Sequence, residues 1–248
     1  PLGLRLEYSY EMPSTCYDST IAYRFGSLLA DGSAFTNGYF GGIDIIGTPD
    51  KSTWYESSFA QSGFQLVANV GGTDYWIKLN ENGSAESFYT IDSNWTTISE
   101  AENPGIALTV TPSFQYEGET PYLSLAFALE NTSGKEVKLG ASIDTLVGTI
   151  AGSTDSTNDS VTVEETDNGF VMKGSDYNFT VVLKNAYGVD NVSRLWYGAY
   201  DNSDFSHMNV FEDKTSSLPS GTDSAASFSW DLGSETSCTK TIRITMGK

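Results

Sequence analysis

The stretch Leu123-Ser124-Leu125-Ala126-Phe127-Ala128-Leu129 decides the fold class. Its large apolar side chains fall on every second residue with small ones between. In an extended chain Leu123, Leu125, Phe127 and Leu129 line one face, whereas a helix would scatter them around its axis. The same alternation returns in 178–184, where Phe179, Val181 and Leu183 share a face, and in 226–230, where Ala226, Phe228 and Trp230 do. In 240–246, Ile242, Ile244 and Met246 oppose Arg243 and Thr245. Weaker alternating segments lie near 4–10, 64–70, 74–79, 86–91, 106–111, 136–144, 161–165, 169–173 and 194–200. Between the segments stand the turn signals Asn82-Gly83, Glu117-Gly118, Ser133-Gly134, Asn168-Gly169 and Tyr187-Gly188. Only 56–62 and 203–210 come near a helical stripe, and both are short. The pattern predicts an all-β fold: a large two-sheet antiparallel β-sandwich, supersandwich-like, with little helix.

The chain has 248 residues, enough for one large domain or two small ones. No Pro-, Gly- or Ser-rich linker and no internal repeat divides it. Residues 4–248 therefore read as a single domain, with two lobes around one groove as the alternative. Pro1-Leu2-Gly3 looks like the remnant of a protease tag. Asp and Glu number 32 against 13 Lys and Arg, a formal charge of -19. Such a chain cannot neutralise a run of phosphates, so nucleic acid is excluded as a partner, and an anionic membrane surface with it. No apolar run is long enough for a spanning helix, so no membrane insertion is expected. Ser and Thr make up roughly a quarter of the chain, far above ordinary usage. With 13% aromatic and only 18% charged residues, this is the profile of a secreted or cell-surface protein.

Two cysteines and one histidine exclude cysteine-based zinc or iron–sulfur sites and most His-triad centres. Cys16 and Cys238 stand near opposite ends, and the sequence leaves open whether they form a bridge or remain thiols. No G-x-S-x-G elbow occurs. Ser237 and Lys240 form a Ser-x-x-Lys, but on an expected strand. A Ser-His-Asp triad would have to use His207, and no segment singles out a carboxylate pair for glycoside hydrolysis. The expectation is a protein that is not an enzyme and needs no cofactor. Asp155, Asn158 and Asp159 gather in one loop and Asp201, Asn202 and Asp204 in another. Their oxygens would suit calcium, but neither matches an EF-hand loop, and no metal is expected. Six Asn-x-Ser/Thr sequons, at Asn82, Asn94, Asn131, Asn158, Asn178 and Asn191, accord with chance in so Ser- and Thr-rich a chain.

The informative residues are aromatics that the alternation does not send to a core. A sugar ring presents an apolar C–H face and a hydroxyl rim, so a protein grips it by stacking Trp or Tyr and by hydrogen bonds from polar neighbours. Trp54 and Tyr55 follow a polar loop that carries Asp50 and Lys51, both placed to hydrogen-bond a rim. Trp95 lies between Asp92-Ser93-Asn94 and Thr96-Thr97. Tyr39, with Phe40, is framed by Gly38 and by Gly41-Gly42, where backbone can approach a ligand closely. In 195–202, Trp196 and Tyr200 share one strand face and Leu195, Tyr197 and Ala199 the other; one set is core and the other a platform. Trp230, aligned with Phe228, reads as core, and Trp76 is undecided.

Four segments carry a family resemblance: Ile143-Asp144-Thr145-Leu146-Val147-Gly148, Gly169-Phe170-Val171-Met172, Leu195-Trp196-Tyr197-Gly198-Ala199-Tyr200 and Asp223-Ser224-Ala225-Ala226-Ser227-Phe228-Ser229-Trp230. Over roughly residues 100–248 they resemble a large β-sandwich module of secreted and cell-surface proteins of gut Firmicutes. The polar, aromatic-rich composition is similar to the starch-adherence proteins of amylosome-forming Ruminococcus. The resemblance implies a non-catalytic carbohydrate-binding module whose partner is an α-1,4-glucan polysaccharide or oligosaccharide, assembled with other modules of a larger extracellular protein. It supplies no catalytic residues. The alternative is a surface adhesin or structural module with a protein partner.

Overall fold

The computed structural model describes residues 3–6, 14–15, 22–26, 41–46, 63–79, 83–91, 98–118, 120–144, 161–173, 178–199, 210–213, 215–216, 220–222 and 224–247. Strand dominates them, and the fold is an all-β sandwich. The strands are β1 (Gly3–Leu6), β2 (Ser14–Thr15), β3 (Ala22–Gly26), β4 (Gly41–Ile46), β5 (Gly63–Val70), β6 (Thr73–Leu79), β7 (Ala85–Ile91), β8 (Ile98–Ala101) and β9 (Ile106–Glu117). They continue as β10 (Thr120–Asn131), β11 (Val137–Asp144), β12 (Val161–Thr166), β13 (Gly169–Lys173), β14 (Asn178–Val182), β15 (Arg194–Ala199), β16 (Ser220–Thr222), β17 (Ser224–Gly233) and β18 (Ser237–Gly247).

One sheet runs β15-β17-β11-β5-β4-β3-β1-β2, with β6, β7 and β8 continuing from β5. Strand β5 changes partner along its length, pairing β4 at Gly63 and Phe64 and β6 from Val67 onward. The other sheet runs β16-β12-β13-β14-β18-β10-β9. Pairing is antiparallel except between β1 and β3, which are parallel. All five dipeptides read as turns end in a glycine at positive φ: Gly83, Gly118, Gly134, Gly169 and Gly188. Gly169 shows why the residue type is needed. Its φ is +154°, and a Cβ there would lie 2.1 Å from the carbonyl oxygen of Val181 on the neighbouring strand.

The main core fills the space between the sheets with the alternating residues that the sequence marks out. Leu125, Phe127 and Leu129 from β10 and Ile242 and Ile244 from β18 meet Ala226, Phe228 and Trp230 from β17. At its centre Phe127 sits 5.5 Å from Trp230 and 6.4 Å from Phe228, while Phe228 and Trp230 meet edge to face at 5.4 Å. Such tilted and edge contacts suit the ring quadrupoles. The indole Nε1 of Trp230 donates to the backbone oxygen of Asp190 at 3.1 Å, so the ring is buried without an orphaned donor.

Polar links close both flanks. Val110 N donates to Gly83 O at 2.8 Å, joining the β6–β7 turn to β9. The hydroxyl of Tyr197 donates to Glu165 Oε2 at 2.9 Å, joining β15 to β12. Asp190 ties the crossing segment to β18 through Thr241, whose N–H its Oδ2 accepts at 2.9 Å.

Two residues singled out by the sequence are described here. Cys238 is a free thiol, half-buried against the core, and burial pushes its pKa up; Cys16 lies outside the described residues. Asn131 is 3% exposed, with Nδ2 donating to Lys135 O and Oδ1 accepting from Ser133, so that sequon is a turn-forming residue.

Candidate functional site on the outer sheet faces

Of the residues expected to touch sugar, Tyr39, Asp50, Lys51, Trp54, Tyr55, Trp95 and Tyr200 lie outside the described residues. His207 and both acidic loops considered for calcium also lie outside them. Among the described residues no group of three or more His, Cys, Asp or Glu could hold a metal ion. Ser237 and Lys240 stand three apart on β18, which puts their side chains on opposite faces of the strand.

Trp196 is described. Leu195 and Tyr197 face the other sheet, and Tyr197 packs in the core near Phe170, their ring centroids 6.5 Å apart. Trp196 faces outward from the first sheet, yet only 4% of it is exposed, so its ring is covered rather than presented.

That outer face is built by cross-strand register. Arg194 pairs with Ser229, Ser229 with Gly140, Gly140 with Val67, Val67 with Trp76, and Trp76 with Tyr89. Ser229 and Gly140 in this row leave a trough between larger residues. Val210 fills it: a Cβ on Gly140 would lie 2.5 Å from its Cγ1. Val67, Trp76 and Val210 form a second, smaller apolar cluster, with Tyr89 and Phe211 against it. The segment bearing Val210 is fastened at the edge strand. Asp213 stands 3.4 Å from Arg194 Nε, and Tyr197 N donates to Ser216 Oγ at 3.1 Å. This face is therefore occupied by the chain itself.

Arg194 also holds Asp231 in a two-pronged pair, at 2.6 and 3.0 Å. Hydrogen bonding from the guanidinium, against some desolvation, holds the Asp231 carboxyl below the usual carboxylate range. The folded pKa is depressed, so this pair's contribution is present above the unfolded carboxylate pKa of about 4 and is lost as pH falls through the folded value. The difference in melting temperature between wild type and Asp231→Asn is accordingly expected to shrink as pH is lowered from about 4. A difference constant across that range would remove Asp231 from the acid response.

The outer face of the second sheet is different. Threonines fill it: Thr109 and Thr239 flank Ala128, Thr111 and Thr241 flank Ala126, and Thr180 pairs with Thr245. Arg243 stands among them, paired with Ser124 on one side and Val182 on the other. Its guanidinium carbon lies 4.5 Å from the centre of the Tyr122 ring, and Nη1 is 3.6 Å from Glu117 Oε2. Its Nη2 donates to the backbone oxygen of Tyr187.

Tyr187 is the exposed large apolar side chain among the described residues, 94% exposed. The turn that carries it is fixed from several sides. Asn168 Nδ2 donates to Lys184 O and Asn185 O, at 3.2 and 2.9 Å. Asn185 N donates to Asn191 Oδ1 at 2.8 Å, and Asn185 Nδ2 to Asp167 O at 2.9 Å. Asn185 takes φ 55° and Gly188 φ 73°, a left-handed geometry that Asn and Gly adopt at least cost. The ring is thus held out into water on a rigid support.

The chain matches no family model and no curated protein. What the side chains offer must carry the functional reading, and here the sequence left a usable signal unread. Tyr187-Gly188 marks a turn, and no alternation there directs the ring to a core. Arg243 is the polar residue between Ile242 and Ile244, so its outward direction also follows from the alternation. That Tyr122, Glu117 and Tyr187 converge on it could not be read, because they come from the β9–β10 hairpin and the β14–β15 connection.

Proposed function

We propose that this protein is a non-catalytic carbohydrate-binding module that recognises α-1,4-glucan, as starch or maltooligosaccharide, by aromatic stacking and hydrogen bonds to the hydroxyl rim. It would act outside the cell as part of a larger assembly. The observation that carries the reading is Tyr187, a large ring kept in water by a turn whose backbone is fixed by side-chain hydrogen bonds. Rigid presentation of an aromatic lowers the ordering cost of binding, which is what a stacking platform requires. Trp54, Tyr55, Trp95 and Tyr200, with Tyr39, Lys51 and Asp50, complete the proposed glycan contacts. Trp196 is 4% exposed and is not among the proposed contacts.

Affinity electrophoresis in gels containing soluble starch, xylan or cellulose tests this. Retardation by starch is expected. Trp54→Ala and Trp95→Ala are each expected to weaken it about tenfold or more, with melting temperature nearly unchanged. Retardation by no polysaccharide would overturn the reading in favour of a protein-binding adhesin, and release of sugar from starch would make the protein an enzyme.

A further inference from the structure

We infer that the outer face of the second sheet carries a sugar subsite of its own, built by Tyr187 and Tyr122 around Arg243, and that Glu117 tunes it to neutral glycans. This rests on the reading that the protein binds glycan, and names the polar and charged neighbours of Tyr187 that take part.

Three observations converge. Tyr187 offers an almost wholly exposed ring on a turn whose backbone is held by side-chain hydrogen bonds. The Arg243 guanidinium joins the two tyrosines physically, lying over the Tyr122 ring and donating to the Tyr187 carbonyl. The pair Thr180 and Thr245 supplies hydroxyls on the same face, on the strands β14 and β18 that meet at Arg243. Apolar ring faces beside short hydroxyl side chains match a sugar's two kinds of surface.

The charge arrangement selects the class of sugar. Arg243 is 14% exposed and already faces Glu117, itself 81% exposed, at 3.6 Å. A ligand carboxylate would have to displace that partner and approach a chain of net charge -19. A neutral glycan meets no such opposition. It can accept from guanidinium N–H groups at the rim while stacking on Tyr187. Glu117 is therefore the specificity residue of this subsite. With an amide in its place, Arg243 is a cation over the Tyr122 ring without a carboxylate partner there, an arrangement suited to a uronic acid.

The test uses the full chain and its variants in gels of soluble starch and, separately, polygalacturonate. Tyr187→Ala is expected to weaken starch retardation about tenfold, as stacking area is lost, and Tyr187→Trp to restore it. Both should melt as wild type, because the side chain is in water. Glu117→Gln is expected to gain retardation by polygalacturonate, which wild type lacks. Undiminished starch binding by Tyr187→Ala, with wild type retarded, overturns the subsite and leaves the glycan reading standing. A Glu117→Gln variant still indifferent to polygalacturonate overturns the specificity role. A wild type retarded by neither polysaccharide overturns subsite and reading together.

Discussion

Trp230→Ala is expected to cost about 3 to 5 kcal/mol, the usual range for removing a large aromatic from a packed core. In a chain of this size each kcal/mol lowers the melting temperature by about 2 to 4 °C, so a fall of about 6 to 20 °C should be seen by calorimetry. The site argues for the upper part of that range. Trp230 is 2% exposed and meets both Phe127 from the facing sheet and Phe228 from its own, so its loss opens a void that both sheets line. It also strips the Asp190 carbonyl of the indole donor that binds the β14–β15 crossing to β17. Trp230→Phe keeps most of the volume and loses only that bond, and should fall about 1 kcal/mol or somewhat more below wild type. Starch retardation of the folded Ala variant should be unchanged at low temperature. A variant that melts within 2 °C of wild type would mean, by the same scaling, that the ring is not part of a packed centre.

Gly140→Ala is expected to destabilise by about 1 to 3 kcal/mol or more, for the opposite reason. The added methyl would lie 2.2 Å from the Phe228 carbonyl oxygen, 2.5 Å from Val210 Cγ1 and 2.8 Å from Ser229 Cβ. Val210 can rotate away, but a backbone carbonyl in the middle of β17 moves only if the β11–β17 ladder shifts. Ser229→Ala, one strand across in the same trough, gives the contrast. Its hydroxyl is 0% exposed and has no hydrogen-bond partner among the described residues, so removing it should leave stability unchanged or raise it. Urea unfolding of the two variants separates the effects. If both destabilise equally, the trough is sensitive to any change and the close approach at Gly140 is not the cause.

How far such features could be read beforehand depends on whether they are local. The strands 123–129, 178–184, 226–230 and 240–246 are legible because a period of two is a property of neighbouring residues, and each is a strand of the sandwich. The turn glycines are legible for the same reason, since a positive φ is a demand on a single residue. Strands β2, β3, β4, β8 and β16 are not among the expected segments. Gly41–Ile46 opens with two glycines that suggest a flexible loop, and β2, β8 and β16 have two to four residues, too few to display a period.

The candidate sites divide along the same line. Alternation separates Tyr197 from Trp196 and predicts that one enters the core. It cannot tell that Trp196 is buried as well, or that Val210, beyond the end of the strand, packs on the same sheet's outer face against Val67 and Trp76. Likewise Tyr187 is exposed by its own turn, whereas its partnership with Arg243, 56 residues later, exists only once β14 and β18 are paired. By itself the sequence determined the fold class, the turn positions, the inward residues of most long strands and the acidic net charge. The tertiary structure alone decided which outward faces are occupied and which stand open. Exposure is a relation between segments distant in the chain, and no periodicity within one segment encodes what another will place on top of it.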